Sequence, residues 1–279
     1  MIPLEDYPSI YEKCRDFPDE HPLKITSAID NKAFLIFFES LLSKLRKVEG
    51  LPSKIIEIKN DKENFYSYVS ELKVAAFLID KVDKLKIIVP KNSSSDFEIE
   101  ILGKTITIEV KRIEDKMETL KGNVEYDPTF PGLPYKIDDI STIHSKIKES
   151  IIEKKQYCQN IPHVIIFDYT PGVGEGEFED VLYPQKDTLQ QIRSKSGKLM
   201  GYGHPLYDGL FYKKNGEGNF IYSCLSGVAV IFEGYSISIN TLIIKSPRMV
   251  FFKNPNAELE IEEGILSSLG MEIYKRKEI

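Results

Sequence analysis

The sequence predicts one elaborated α/β domain, and three observations carry the prediction. Segments of helical period alternate with segments of strand period. No compositional break or internal repeat divides the 279 residues. With 42% hydrophobic and 29% charged residues, the chain has enough apolar material to close a core. At about 150 residues per domain the length alone allows roughly two units, so a single unit over 1–279 rests on the lack of a visible linker.

Taken in order, residues 1–25 carry Pro3, Pro8, Pro18 and Pro22 and read as an irregular arm. Phe34, Phe37, Phe38, Leu41, Leu42 and Leu45 recur at helical spacing and predict a helix over 28–48. Gly50-Leu51-Pro52-Ser53 reads as its stop, which closes an N-terminal segment 1–52. A second helix is expected over 64–82, then strands at 86–90, 96–101 and 104–110, with Gly103 in the tight turn between the last two. The polar stretch 114–139, broken by Pro128, Pro131 and Pro134, predicts a long loop. Ser141 reads as the cap of a lysine-rich helix reaching about residue 160, and 163–169 as a buried strand. A Gly-rich acidic loop, a helix over 187–193 and a flexible stretch through Gly209 follow. The β-rich end holds a strand at 226–232, the turn Asn254-Pro255-Asn256 and a final helix, so 170–279 reads as an extension that completes the sheet.

A net charge of −6 and a pI near 5.5 exclude a wholesale polyanion binder but leave room for a local basic groove. The start, MIPLEDYPSI, has acids where a signal peptide needs bases. The longest apolar runs, 32–38 and 227–232, fall far short of the ~20 residues of a membrane span. Cys14, Cys158 and Cys224 are odd in number and far apart, which fits neither a disulfide framework nor a metal knuckle. The expectation is a soluble cytoplasmic protein with no membrane partner.

The segment 96–111 carries the chemistry. Ile106, Ile108 and Val110 share one face of their strand, and Thr105, Thr107, Glu109 and Lys111 share the other. If Leu102-Gly103 is a two-residue loop, Ile101 pairs with Lys104, and counting outward sets Asp96 across from Glu109 with Cβ atoms about 5 Å apart. Because Leu-Gly is not the favoured pair for such a turn, a bulge could shift that register by one. Two carboxylates so close repel unless bridged, and Mg²⁺ is the natural bridge because it uses one or two carboxylates and keeps positions for water and phosphate. Lys111, on the same face as Glu109, can hold the attacking water or neutralise charge on phosphorus. Glu71 falls in line with Ala75, Leu78 and Val82, the stripe expected to face the sheet, where an acid is costly unless paired or bound to metal. The alternative is a solvent-facing strand on which Glu109 and Lys111 are surface charges.

The run Glu71 … Ser95-Asp96 … Glu109-Val110-Lys111 resembles the PD-(D/E)xK nuclease superfamily over a core of about 64–169, with Ser95 where the name-giving proline would stand. The resemblance implies a restriction-endonuclease-like αβββαβ core with a mixed central sheet flanked by helices. It implies Asp96 and Glu109 as metal ligands with the Val110 carbonyl, Lys111 as the catalytic lysine, and Glu71 as the helix glutamate that joins the metal site. Gln156, on the helix before strand 163–169, implies an assisting residue. The implied cofactor is Mg²⁺, with Mn²⁺ as a substitute. The implied activity is hydrolysis of nucleic acid, DNA before RNA, by an endonuclease of restriction or defence type, with a homodimer as the expected assembly. Alternatives are an inactive nuclease-like module that binds nucleic acid or a protein, and an RNA-directed nuclease.

Other signals fail on spacing. His144-Ser145-Lys146 begins an HxKxxxxD motif, but Ile151 holds the Asp position. Gly172, Gly174 and Gly176 miss G-x-G-x-x-G because residue 177 is Glu, and the surrounding acids would repel a pyrophosphate. Ser196-Gly197-Lys198 lacks the upstream glycine of a P-loop, and His21, His144, His163 and His204 lack zinc spacing. Lys146, Lys148, Lys154 and Lys155 are either a solvated helix face or phosphate contacts, and a loop with Lys195, Lys198, Tyr202, His204 and Tyr207 could likewise reach DNA.

Overall fold

The architecture comes from a computed structural model that describes residues 32–88, 95–113, 140–152, 160–169, 175–184, 190–193, 199–203, 209–232, 235–238, 241–244 and 247–275. Helix α1 (Lys32–Leu45) follows the apolar spacing read from the sequence. Gly50-Leu51-Pro52-Ser53 does not end the helical region. It starts a new helix, α2 (Leu51–Asn60), with Gly50 at its N-cap in the left-handed region (φ 89°) and proline in the first turn, where a missing N–H costs nothing. A Cβ at position 50 would stand 2.0 Å from the Ile87 carbonyl oxygen, so only glycine lets this junction close against the sheet edge.

Helix α3 (Phe65–Leu78) continues into a 3₁₀ turn, Ile79–Lys81, which stops one residue short of the expected end at 82. The expected stripe of Glu71, Ala75 and Leu78 is buried, but so is nearly everything from Val69 to Leu78. Phe38 and Leu41 of α1 and Ile58 of α2 join the same apolar cluster, so α3 is enclosed on more than the sheet side.

Strands β1 (Lys84–Ile87), β2 (Phe97–Ile101) and β3 (Lys104–Ile113) form an antiparallel meander. Ile101 pairs with Lys104, as the two-residue loop requires. Leu102 (φ 50°) and Gly103 (φ 73°) both lie at positive φ, the turn geometry that suits a right-twisted hairpin. Helix α4 (Ile140–Ile152) leads into β4 (His163–Tyr169), which pairs parallel to β3. Ser141 is the second residue of α4 and not its cap. The element order over 65–169 is therefore helix, three strands, helix, strand. The stretch 114–139 and Gln156 lie outside the described residues.

Helix α5 (Glu175–Leu182) stands where a loop was expected. Phe178, Val181 and Leu182 recur at helical spacing and are buried, while Glu175 pairs with Arg248 at 2.6 Å and Glu179 accepts from the Tyr274 hydroxyl. Glu175 and Glu179 thus find partners on the sheet side. Gln190–Arg193 is a strand (β5) and not a helix, because it pairs antiparallel with β6 (Leu199–Gly203). The β-rich end holds β7 (Leu225–Phe232), the hairpin β8 (Tyr235–Ser238) and β9 (Thr241–Ile244), β10 (Arg248–Lys253), helix α6 (Glu263–Ser268) and β11 (Met271–Ile273).

Among the described residues, one mixed seven-stranded sheet runs in the order β1-β2-β3-β4-β7-β10-β11. Alternation in its central strands splits the core into two layers. Val164, Ile166, Ala229, Ile231, Met249 and Phe251 meet α1, α2, α3 and α6 on one face. Ile165, Phe167, Val228, Val230, Val250 and Phe252 meet α4 and α5 on the other. No helix among the described residues is long and apolar enough to cross a membrane. Cys224 is disulfide-bonded, against the expectation of isolated thiols, and its partner cysteine is outside the described residues.

Candidate active site

The carboxyl ends of β3 and β4 and the start of β2 meet at one end of the sheet, and Asp96, Glu109 and Lys111 gather there. Glu109 is 3% exposed, which removes the reading in which it is a solvent-facing charge. Its side chain alternates with Ile108 and Val110, so it points away from α3, and Lys111 follows it on the same face. Lys111 Nζ lies 3.2 Å from Glu109 Oε1 and is about a quarter exposed, an ion pair whose cation still reaches solvent.

Asp96 is not directly opposite Glu109. Its amide donates to the carbonyl of Ile108, the residue already paired with Phe97, so two residues of the β2 side face one of β3, the pattern of a bulge. The bulge turns the Asp96 side chain along β3, where Oδ2 accepts the Val110 N–H at 2.7 Å. Half-buried, Asp96 has no ion-pair partner among the described residues. Burial pushes its carboxyl up to about 6; the Val110 hydrogen bond opposes the rise, the charge of Glu109 adds to it, and Lys54 and Lys111 pull it back.

Glu71 is 7% exposed, and burial followed by the nearby charge of Asp96 pushes it up to about 8, against the pull of Lys54. Its carboxyl, on α3, therefore lies within electrostatic reach of Asp96. Asp96, at the strand end, feels the charges of Glu109, Lys54 and Lys111.

Lys54 is the residue that sequence reasoning missed. It lies on α2, which read as a helix stop, and its side chain is 1% exposed. Its Nζ sits 2.7 Å from Glu71 Oε2 and 2.8 Å from Glu57 Oε2, with the Tyr68 ring centroid 4.8 Å away. Burial alone would depress its pKa, but Glu71 and Glu57 outweigh that and hold it above the ordinary lysine value. The available signal was the i, i+3 pair Lys54–Glu57 on a segment that reads helical once Pro52 is taken as a first-turn proline.

A second ion pair, Lys73 Nζ to Asp168 Oδ1 at 2.5 Å, lies at the same sheet end beside Arg112, whose guanidinium sits 4.6 Å from the Tyr66 ring centroid. Of the helix lysines, Lys146 and Lys148 are half-buried, and Lys148 is depressed by burial and by Lys213. Lys154, Lys155, Lys195, Lys198, His204 and Tyr207 lie outside the described residues. A cleft of about 600 Å³ lined by Lys44, Arg46, Lys47 and Lys84 opens elsewhere, between the turn after α1 and the start of β1, and does not include Asp96 or Glu109.

No family model matches the chain, and neither a curated protein nor a solved structure does. Among the described residues no group of three or more His, Cys, Asp or Glu is placed to hold a metal ion. Asp96 and Glu109 are two hard oxygen donors, a set that suits Mg²⁺, which binds through one or two carboxylates and retains water. With all four acids ionised, Glu57, Glu71, Asp96 and Glu109 exceed Lys54 and Lys111 by two negative charges, the charge of one divalent cation.

Proposed function

We propose that the protein is a Mg²⁺-dependent nuclease, an endodeoxyribonuclease of restriction or defence type with a restriction-endonuclease-like core. The observation that carries this reading is the Val110 amide bound to Asp96 Oδ2, which ties Asp96 to the strand segment holding Glu109 and Lys111. The helix, three strands, helix, strand order over 65–169 supports the fold part of it.

In this reading Asp96, Glu109 and the Val110 carbonyl would hold the cation, with Glu71 within electrostatic reach of Asp96. A Mg²⁺ ion bound there would supply a water of lowered pKa and a countercharge for phosphate. Lys111, paired to Glu109 but still reaching solvent, holds the attacking water and faces the negative charge that grows on phosphorus. The water oxygen bonds to phosphorus as the opposite ester oxygen leaves with a proton. Gln156 assists in the reading drawn from resemblance. Duplex cutting by a homodimer supplies one site per strand. A cytoplasmic location belongs to the same reading, and the Cys224 disulfide is the feature that pulls against it.

The test is plasmid DNA incubated with the protein in Mg²⁺, Mn²⁺ or EDTA, beside Lys111→Ala and a parallel RNA substrate. Nicking that needs metal and falls at least ~100-fold in the variant supports the nuclease. DNA binding without cleavage in either metal makes the chain a binding module, and cleavage confined to RNA moves the substrate.

A further inference from the structure

The nuclease reading leaves a buried lysine unused. Lys54 is 1% exposed and bound to two carboxylates, Glu57 of its own helix and Glu71 of α3. Burying an ammonium costs several kcal/mol unless its partners are well placed, and an apolar residue of similar length would fill the same space without that cost. Its two partners are not equivalent. Glu57 is its own helix neighbour, three residues on and a quarter exposed, whereas Glu71 is buried on α3, within electrostatic reach of Asp96. The ring of Tyr68, whose hydroxyl donates to Asp61 at 2.8 Å, closes over the ammonium. Lys54 is thus seated from several sides, with its charge reaching Asp96.

We propose that Lys54 is a positioning residue whose ammonium takes the place of a second cation at the acid cluster. It occupies Glu71, so Glu71 is not a metal ligand, and the site holds a single divalent ion at Asp96 and Glu109. The inference rests on the nuclease reading and narrows it. Glu71 Oε2 is already 2.7 Å from a positive charge, and a divalent ion on Glu71 would stand beside that charge in a water-poor space. Lys111 plays the matching part at the other end, 3.2 Å from Glu109, but with solvent access. Asp96 feels both lysines but is ion-paired to neither, and that is where the missing countercharge belongs.

The experiment is a Mn²⁺ titration of the full chain without nucleic acid, read by the loss of the free-ion electron paramagnetic resonance signal, with circular dichroism on every variant. Wild type is expected to bind one Mn²⁺. The double variant Lys54→Met/Glu71→Gln removes both members of the 2.7 Å pair, leaves Asp96 and Glu109 untouched, and is expected to bind one Mn²⁺ within about threefold of the wild-type affinity. Lys54→Met alone, if folded, leaves Glu57 and Glu71 uncompensated and is expected to take up two. If the double variant is folded but weakened more than about tenfold, Glu71 is a ligand and the inference falls while the nuclease reading stands. One ion in a folded Lys54→Met also overturns the stand-in role. If wild type binds no Mn²⁺, or Asp96→Asn binds as well as wild type, the nuclease reading fails and the inference goes with it.

Discussion

The backbone amide of Val110 donates to Asp96 Oδ2 across 2.7 Å. Val110 stands between Glu109 and Lys111, so this one bond sets the distance from Asp96 to both. It is a side chain-to-backbone contact made possible by the bulge at Asp96 and Phe97, where the ladder has stepped out of register.

Asp96→Asn keeps an oxygen that can accept the Val110 N–H but loses the charge. The variant is expected to fold as wild type by circular dichroism and to lose at least ~100-fold in plasmid nicking. Nicking within a few-fold of wild type would remove Asp96 from the site.

The raised carboxyls give the metal-free protein a pH signature. Asp96 is pushed up to about 6 and Glu71 to about 8, chiefly by burial, from ordinary values of 3.8 and 4.5. A carboxyl with a raised folded-state pKa binds more protons folded than unfolded, so its stabilising contribution is full below pH 4 and is lost as pH rises through the folded value. In EDTA, the melting temperature of wild type relative to Asp96→Asn/Glu71→Gln should therefore fall between pH 4 and pH 8. Mg²⁺ should offset part of that fall at the upper end. A difference that is flat over this range would show that the two carboxyls ionise normally.

Gly50→Ala should be strongly destabilising. Its φ of 89° disfavours a Cβ, and the added atom would overlap the Ile87 carbonyl oxygen at 2.0 Å, at the junction that seats α2 and therefore Lys54. A loss well above ~1 kcal/mol in urea unfolding is expected, since strain and overlap add. An unchanged midpoint would mean that the junction yields.

Leu102→Asn should stabilise. Leu102 is 66% exposed and held at φ 50° in the hairpin turn, where its side chain contributes little packing. Asn tolerates that backbone region, so a gain of up to about 1 kcal/mol is expected by chemical denaturation, with nuclease activity unchanged. A loss of stability would mean that Leu102 is packing in a way its exposure does not suggest.

Local pattern accounts for the parts of the fold and site that were legible. Side chains alternate along a strand regardless of what surrounds it, so the shared face of Glu109 and Lys111 could be read directly, as could the pairing of Ile101 with Lys104 across a two-residue loop. The inward placement of Glu71 followed from helical spacing in the same way. Local pattern failed where a neighbour decides. Glu175–Leu182 reads as an acidic loop until Arg248 and Tyr274 supply partners for its acids. Gln190–Arg193 is ambiguous until β6 pairs with it.

By itself the sequence determined the α/β class, the hairpin that bears the candidate site and the identity of the acids and lysine on it, because each of these is set by local pattern, with Asp96 and Lys111 on one continuous segment. Only the tertiary structure decided how those groups meet. The bulge that hands Asp96 to the Val110 amide and the burial of Glu109 each depend on packing across the sheet. The seat of Lys54 against Glu71 brings together two helices whose contact no period or spacing encodes. The free energy of a buried charge is set by everything around it, so its place becomes visible only once the chain has folded.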